Sequence, residues 1–258
     1  MMMQTLRPSS FLALTALSSL LACGPPPEPV SPTPPPEATE PGEAVALPPP
    51  DECNSESACQ HACDGGTMVG CYRLGRIYED GDEVKRDAGK AAALYQRACD
   101  GDVYQACNFL GVMHQRGDGV PQDDAKMLAL FSRACDLGHC NNLAYAYEEG
   151  VGVAADPARA AELYQRDCHA NGGSACNNLG VMYAQGRGVD EDFAKAGELF
   201  LKACEEGSDR GCKHAAGLYD SGRGWPEDPA QAAKLYGQAC DMGNASACSL
   251  LADMYMLG

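Results

Sequence analysis

Fifteen of the 258 residues are cysteine and five are histidine, and these side chains could carry chemistry. Twelve cysteines form six pairs, opening at Cys63, Cys99, Cys135, Cys168, Cys204 and Cys240. The type pair is Cys168-His-Ala-Asn-Gly-Gly-Ser-Ala-Cys176. Paired cysteines hold metal, exchange disulfides or staple a fold. Zinc sites favour about two to four residues between ligands, whereas the type pair spans seven. The histidines His61, His114, His139, His169 and His214 are dispersed, although His139 and His169 adjoin cysteines. No metal, other cofactor or catalytic residue is expected, and the glycines read as helix caps rather than a phosphate loop.

The elements that hold these cysteines repeat with them. The opening cysteines stand 36, 36, 33, 36 and 36 residues apart, a period that marks a helical solenoid. In the unit from 168 to 203, Leu179, Met182 and Tyr183 form one apolar stripe on a first helix. Gly186-Arg187-Gly188-Val189 breaks that helix. Asp192 is placed to cap a second helix, and Asp87, Asp123, Asp156 and Asp228 share its register. The second helices carry Leu94-Tyr95, Leu130-Phe131, Leu163-Tyr164, Leu199-Phe200 and Leu235-Tyr236. A small column on the first helices, Gly75, Gly111, Ala144, Gly180, Ala216 and Ala252, admits close packing. The fold class is all-α, a right-handed α/α superhelical solenoid of about five and a half disulfide-stapled units over residues 51–258.

The first 50 residues read differently. Arg7 precedes an apolar run from Phe11 to Leu21, too short to span a bilayer but suited to a signal peptide over 1–22. Leu20-Leu21-Ala22-Cys23 resembles a bacterial lipobox, which makes Cys23 the lipidated residue. Gly24 in place of Asp resembles the outer-membrane sorting class. The expected location is an outer-membrane lipoprotein on the periplasmic or surface face, with secretion as the alternative. Residues 24–50 hold twelve of the seventeen prolines. With Cys23 they form a polyproline-rich linker over 23–50, reaching up to roughly 80 Å. The formal charge of −17 disfavours nucleic acid as a partner.

Export makes disulfides the default, and fourteen cysteines remain once Cys23 carries lipid. Each pair sits at the two ends of one inter-helix turn. The expected bonds are Cys63–Cys71, Cys99–Cys107, Cys135–Cys140, Cys168–Cys176, Cys204–Cys212 and Cys240–Cys248. The third turn lacks three residues, which raises a question of strain. Asp51 to Ala62 aligns with a second helix, capped at Asp51. On a continuous helix Cys53 and Cys59 diverge, so either this segment is unwound and they pair together, or each pairs elsewhere. The last helix lacks a polar cap, which leaves a face for end-to-end self-association.

Leu-Gly-x-x-Tyr, Gly-x-Gly-Val, x-x-Asp-x-x-Lys-Ala and the aromatic-x-x-Ala-Cys ending resemble Sel-like repeats (SLR), relatives of tetratricopeptide repeats. The added cysteine pair is similar to the Helicobacter cysteine-rich subfamily. The resemblance implies an adaptor for protein or peptide partners at the cell envelope. It also implies, as an alternative, a binder of β-lactams or peptidoglycan fragments with weak β-lactamase activity. Ser-x-x-Lys, Ser-Asp-Asn and Lys-Thr-Gly, which a serine β-lactamase needs, do not occur, so the balance leans away from an enzyme. The candidate ligand face is the variable surface of the first helices: Tyr72, Arg76, Asn108, Asn141, Tyr145, Asn177 and Lys213. Its asparagines either grip an extended peptide or bond locally. Trp225 is either a packing plug or an exposed anchor.

Overall fold

A computed structural model describes residues 53, 55–82 and 84–257. The signal peptide over 1–22, the lipidated Cys23 and the linker over 23–50 lie outside the described residues. Twelve helices run in series, with no strand among the described residues. After α1 (Glu56–Asp64) come five pairs: α2 (Met68–Asp80) with α3 (Ala88–Asp100), α4 (Tyr104–Arg116) with α5 (Asp124–Asp136), α6 (Asn141–Glu149) with α7 (Pro157–Asn171), α8 (Gly173–Gln185) with α9 (Phe193–Glu205), and α10 (Asp209–Ser221) with α11 (Pro229–Asp241). A further first helix, α12 (Ala245–Leu257), follows. None of these helices is long and apolar enough to cross a membrane.

Local chemistry sets the boundaries. Asp87, Asp123, Asp156, Asp192 and Asp228 each accept from the backbone N–H three residues on, at 2.9–3.0 Å. Each thereby satisfies one amide that has no intrahelical partner. Gly186 ends α8 in the left-handed region at φ 64°, and its counterparts end α2, α4, α6 and α10 the same way. The second glycine of Gly-x-Gly-Val has another task. A Cβ on Gly188 would lie 2.3 Å from the Pro157 backbone, so the loop seats against the start of the preceding second helix.

Tyr95, Phe131, Tyr164, Phe200 and Tyr236 are buried. Their rings account for the small column: a Cβ on Gly75, Gly111 or Gly180 would meet the facing ring at 2.5–2.6 Å. Trp225 is a packing plug, since its ring lies where a Cβ on Gly197 would stand and it packs against Tyr219 at 4.8 Å.

The six expected cysteine pairs lie at disulfide distance, and so do Cys53 and Cys59, whose pairing the sequence left open. The five full-length turns bring the Cα atoms to 4.5–4.7 Å, and Cys135–Cys140 to 4.0 Å. The N-terminal helix corrects the sequence reading: it starts at Glu56 under a Ser55 cap, not at Asp51. Cys53 therefore precedes the helix and approaches Cys59 to a Cα distance of 4.6 Å. A cap four residues later than expected thus removes the geometric objection to that pair.

Successive repeats are also latched by cations. The residue two before each second-helix cysteine reaches back to the preceding cysteine turn. Arg97 donates to the Cys63 carbonyl at 2.6 Å, Arg133 to that of Asp100 at 3.0 Å, and Lys202 to that of Cys168 at 2.7 Å. Arg166 donates to the Cys135 carbonyl. Each cation meets carbonyls at the negative end of the preceding second helix. At the fifth position stands the neutral Gln238.

Candidate functional site

The first helices α2, α4, α6, α8 and α10 position the candidate ligand residues at two registers, Tyr72, Asn108, Asn141, Asn177 and Lys213 in one and Arg76 and Tyr145 one turn on, and the structure divides them. Tyr72 and Asn177 are buried, so neither stands free on the surface. Arg76, Asn108, Asn141, Tyr145 and Lys213 remain half-buried.

The asparagines serve each other. His214 Nδ1 lies 2.8 Å from Asn177 Oδ1, Asn177 Nδ2 lies 3.4 Å from Asn178 Oδ1, and Asn178 Nδ2 donates to Asn141 Oδ1 at 3.0 Å. Burial pushes the His214 pKa down to about 4, helped by the positive charges of Lys213 and Arg210. Because Asn177 Oδ1 can only accept, the ring donates from Nδ1, and a directed run of donors links α10, α8 and α6. The run does not include Asn108, whose Oδ1 is buried without a hydrogen-bond partner.

Around Asn108 the face changes character. Tyr72, Tyr95 and the neighbouring Phe109 form a triangle of rings with centroids 5.3–6.0 Å apart. The Arg76 guanidinium lies 4.9 Å over Phe109, a cation–π arrangement, and pairs with Asp80 at 3.3 Å. Arg76 Nε is the other buried side-chain atom without a partner among the described residues. Such atoms cost about 1–3 kcal/mol each and mark places where an interaction is left unmade.

Two further groups carry signals that the repeat pattern hides. Where the second-helix aromatic is tyrosine, the residue sixteen before it is acidic: Glu79 for Tyr95, Glu148 for Tyr164, Asp220 for Tyr236. Where it is phenylalanine, Gln115 or Ala184 stands there instead. Tyr95 donates to Glu79, and Tyr164 donates to Glu148 at 2.8 Å. Burial raises the Glu148 pKa, opposed by the Tyr164 hydroxyl and by Arg187, which reaches Glu148 at 3.1 Å and Glu149 at 2.9 Å from the next loop. This cluster joins repeats. The second group lies under the short cysteine turn, where Asp167 is buried with its pKa raised by that burial. Its carboxylate faces the backbone amides of Cys140 and Asn141, at the start of α6, and accepts from Asn171 at 2.5 Å. His139 stacks on Tyr104 above it. No group of three His, Cys, Asp or Glu side chains gathers as a metal set among the described residues.

The fold defines a disulfide-stapled solenoid of helix pairs. The Sel1 repeat family matches at residues 69–103, 105–139, 140–166, 173–208 and 213–244, and the chain belongs to that family. Sel1 repeats make scaffolds for protein–protein contact. A protective antigen of uropathogenic Escherichia coli with an SLR fold is 31% identical over 76% of this chain, with a TM-score of 0.65. The chain spans 42% of that antigen's length. A Sel1 repeat protein from Oxalobacter formigenes is 25% identical over 78% of this chain and 90% of its own, with a TM-score of 0.68. Helicobacter pylori cysteine rich protein B is 26% identical over 66% of this chain and 99% of its own, with a TM-score of 0.32. No curated protein matches.

Proposed function

We propose that this chain is an envelope-anchored scaffold that binds an extended protein or peptide segment along its first helices, chiefly at the Arg76–Asn108 end. The observation that carries the reading is the pair of unpartnered atoms, Arg76 Nε and Asn108 Oδ1, beside the Tyr72, Tyr95 and Phe109 rings. A peptide bond supplies what they lack, a carbonyl for the arginine and an N–H for the amide oxygen, once the two side chains turn outward. The buried rings beneath hold the Arg76 guanidinium, which lies 4.9 Å over Phe109. Asn177 serves instead to hold α8 to α10.

Seven disulfides suit an oxidising compartment outside the cytoplasm. Lipid on Cys23 and the proline-rich linker would hold the repeats off the outer membrane. Capture from envelope extract by the soluble repeats, followed by binding measurements on the captured partner, tests the reading. Arg76→Ala with Asn108→Ala should weaken binding about tenfold or more, while Lys213→Ala should change it less. Unchanged affinity in the double variant, with its fold intact, would contradict the site.

A further inference from the structure

We propose that Cys204–Cys212 is a thiol–disulfide exchange site, with Cys204 Sγ the sulfur that an external thiol attacks. The four preceding stamps are closed: Cys63, Cys71, Cys99, Cys107, Cys135, Cys140, Cys168 and Cys176 are all at most 3% exposed. Cys212 is fully buried as well, but Cys204 is only half-buried. This disulfide is not at an unpacked end, because α11 follows and packs on α10. Its openness coincides with a chemical change in the latch.

In those four stamps a cation from the next second helix lies across the turn and donates to one of its carbonyls. Over the fifth turn stands Gln238, and no side chain among the described residues donates to the Cys204 carbonyl. Instead Gln238 Oε1 lies 3.7 Å from Cys204 Sγ. A disulfide sulfur carries no proton, so this is a contact and not a hydrogen bond. The amide over the outer sulfur makes no bond to the turn, whereas the arginine or lysine over each of the four preceding turns is held by a carbonyl.

The step balances with an external thiol as reductant. A thiolate attacks Cys204 Sγ, and the bond to Cys212 Sγ breaks with its electron pair on Cys212, which takes up a proton. A second thiolate then attacks the external sulfur of the mixed disulfide and releases Cys204 as a thiolate. Two external thiols become one disulfide, and the protein gains two thiols. Glu205 and Glu206 stand exposed beside Cys204 and repel an anionic thiol, so a neutral dithiol is the suitable reagent.

The test treats the oxidised full chain with dithiothreitol for graded times, alkylates the freed thiols and maps the peptides. Cys204 and Cys212 should be labelled about tenfold sooner than the pairs at Cys99 and Cys168. Gln238→Arg should remove most of that lead, and Lys202→Gln should hasten opening of Cys168–Cys176. Cys240 and Cys248 are both half-buried, so that pair opens early on its own exposure and shows whether Cys204 merely follows this end of the array. Equal rates for the Cys99, Cys168 and Cys204 pairs would overturn the proposal. So would a lead at Cys204 that follows Cys240 and ignores the residue at 238.

Discussion

The short cysteine turn, Cys135 to Cys140, and the full-length turns solve one problem by different means. Among the full turns, Ser208 caps α10, accepting from Gly211 at 3.2 Å, and Asn244 accepts from Ala247 at 3.0 Å before α12, whereas α2, α4 and α8 start without a side-chain cap. Helix α6 starts at once after Cys140, without a side-chain cap, and runs 9 residues where the other first helices run 13. Its amides are faced instead by Asp167, from the second helix of the same repeat. The loop edge differs too. A Cβ on Gly188 would strike backbone, but one on Gly152, in the short-turn repeat, would first meet the Asp124 side chain at 2.8 Å. The short-turn repeat is thus set apart by a buried carboxylate at the start of its first helix and by a side-chain contact at its loop edge.

The contrast can be broken at several points. The largest effect is expected from Gly188→Ala, which combines positive φ with a backbone clash and should cost about 3 kcal/mol in urea unfolding. Gly152→Ala should cost roughly 1 kcal/mol less, because side chains shift more readily than backbone. A Gly152 variant as damaging as the Gly188 one would show that the short-turn repeat packs no differently. Replacing Cys135 and Cys140 by serine should cost about 2–3 kcal/mol. The Cys168 and Cys176 variant should differ by only about 0.4 kcal/mol more, on loop entropy. A much smaller loss for the short pair would mean that its turn is held mainly by other contacts.

The amide run sharpens the comparison by pH. His214 is neutral in the fold, with its pKa pushed down to about 4, while the unfolded histidine titrates near ~6.5. On acidification the unfolded chain takes up this proton first. The stability is therefore fully present above pH ~6.5 and is lost as pH falls toward about 4, by roughly 3 kcal/mol. Thermal melts of the protein and of His214→Gln across this window should converge as pH drops. Parallel curves would remove His214 from the account.

Much of the fold is legible in the sequence, because caps and periods are local. Five aspartates, the first glycines and the Leu-aromatic steps announce helix ends and core faces within a few residues. What escapes is written across repeats. Asp167 occupies a column that elsewhere holds Ala98, Ala134, Ala203 and Ala239, and it does so in the one repeat with a short turn. Gly197 and Trp225 depart from their columns together in the same way. The acid before each core tyrosine and the latch cations follow the same logic. At the candidate site the asparagine row was visible, but its internal bonding was not. Equal spacing cannot tell an amide that faces a ligand from one that faces the next helix.

The claim that the short turn and Asp167 are one compensated unit is tested most directly by a double-mutant cycle. Asp167→Ala is compared in the natural chain and in a chain with Gly-Ser-Ala inserted between Gly138 and His139 to restore the full turn. The account predicts a loss of about 1 kcal/mol in the natural chain. In the restored chain it predicts no loss, or a gain as a buried carboxylate is removed. An equal loss in both backgrounds would contradict it.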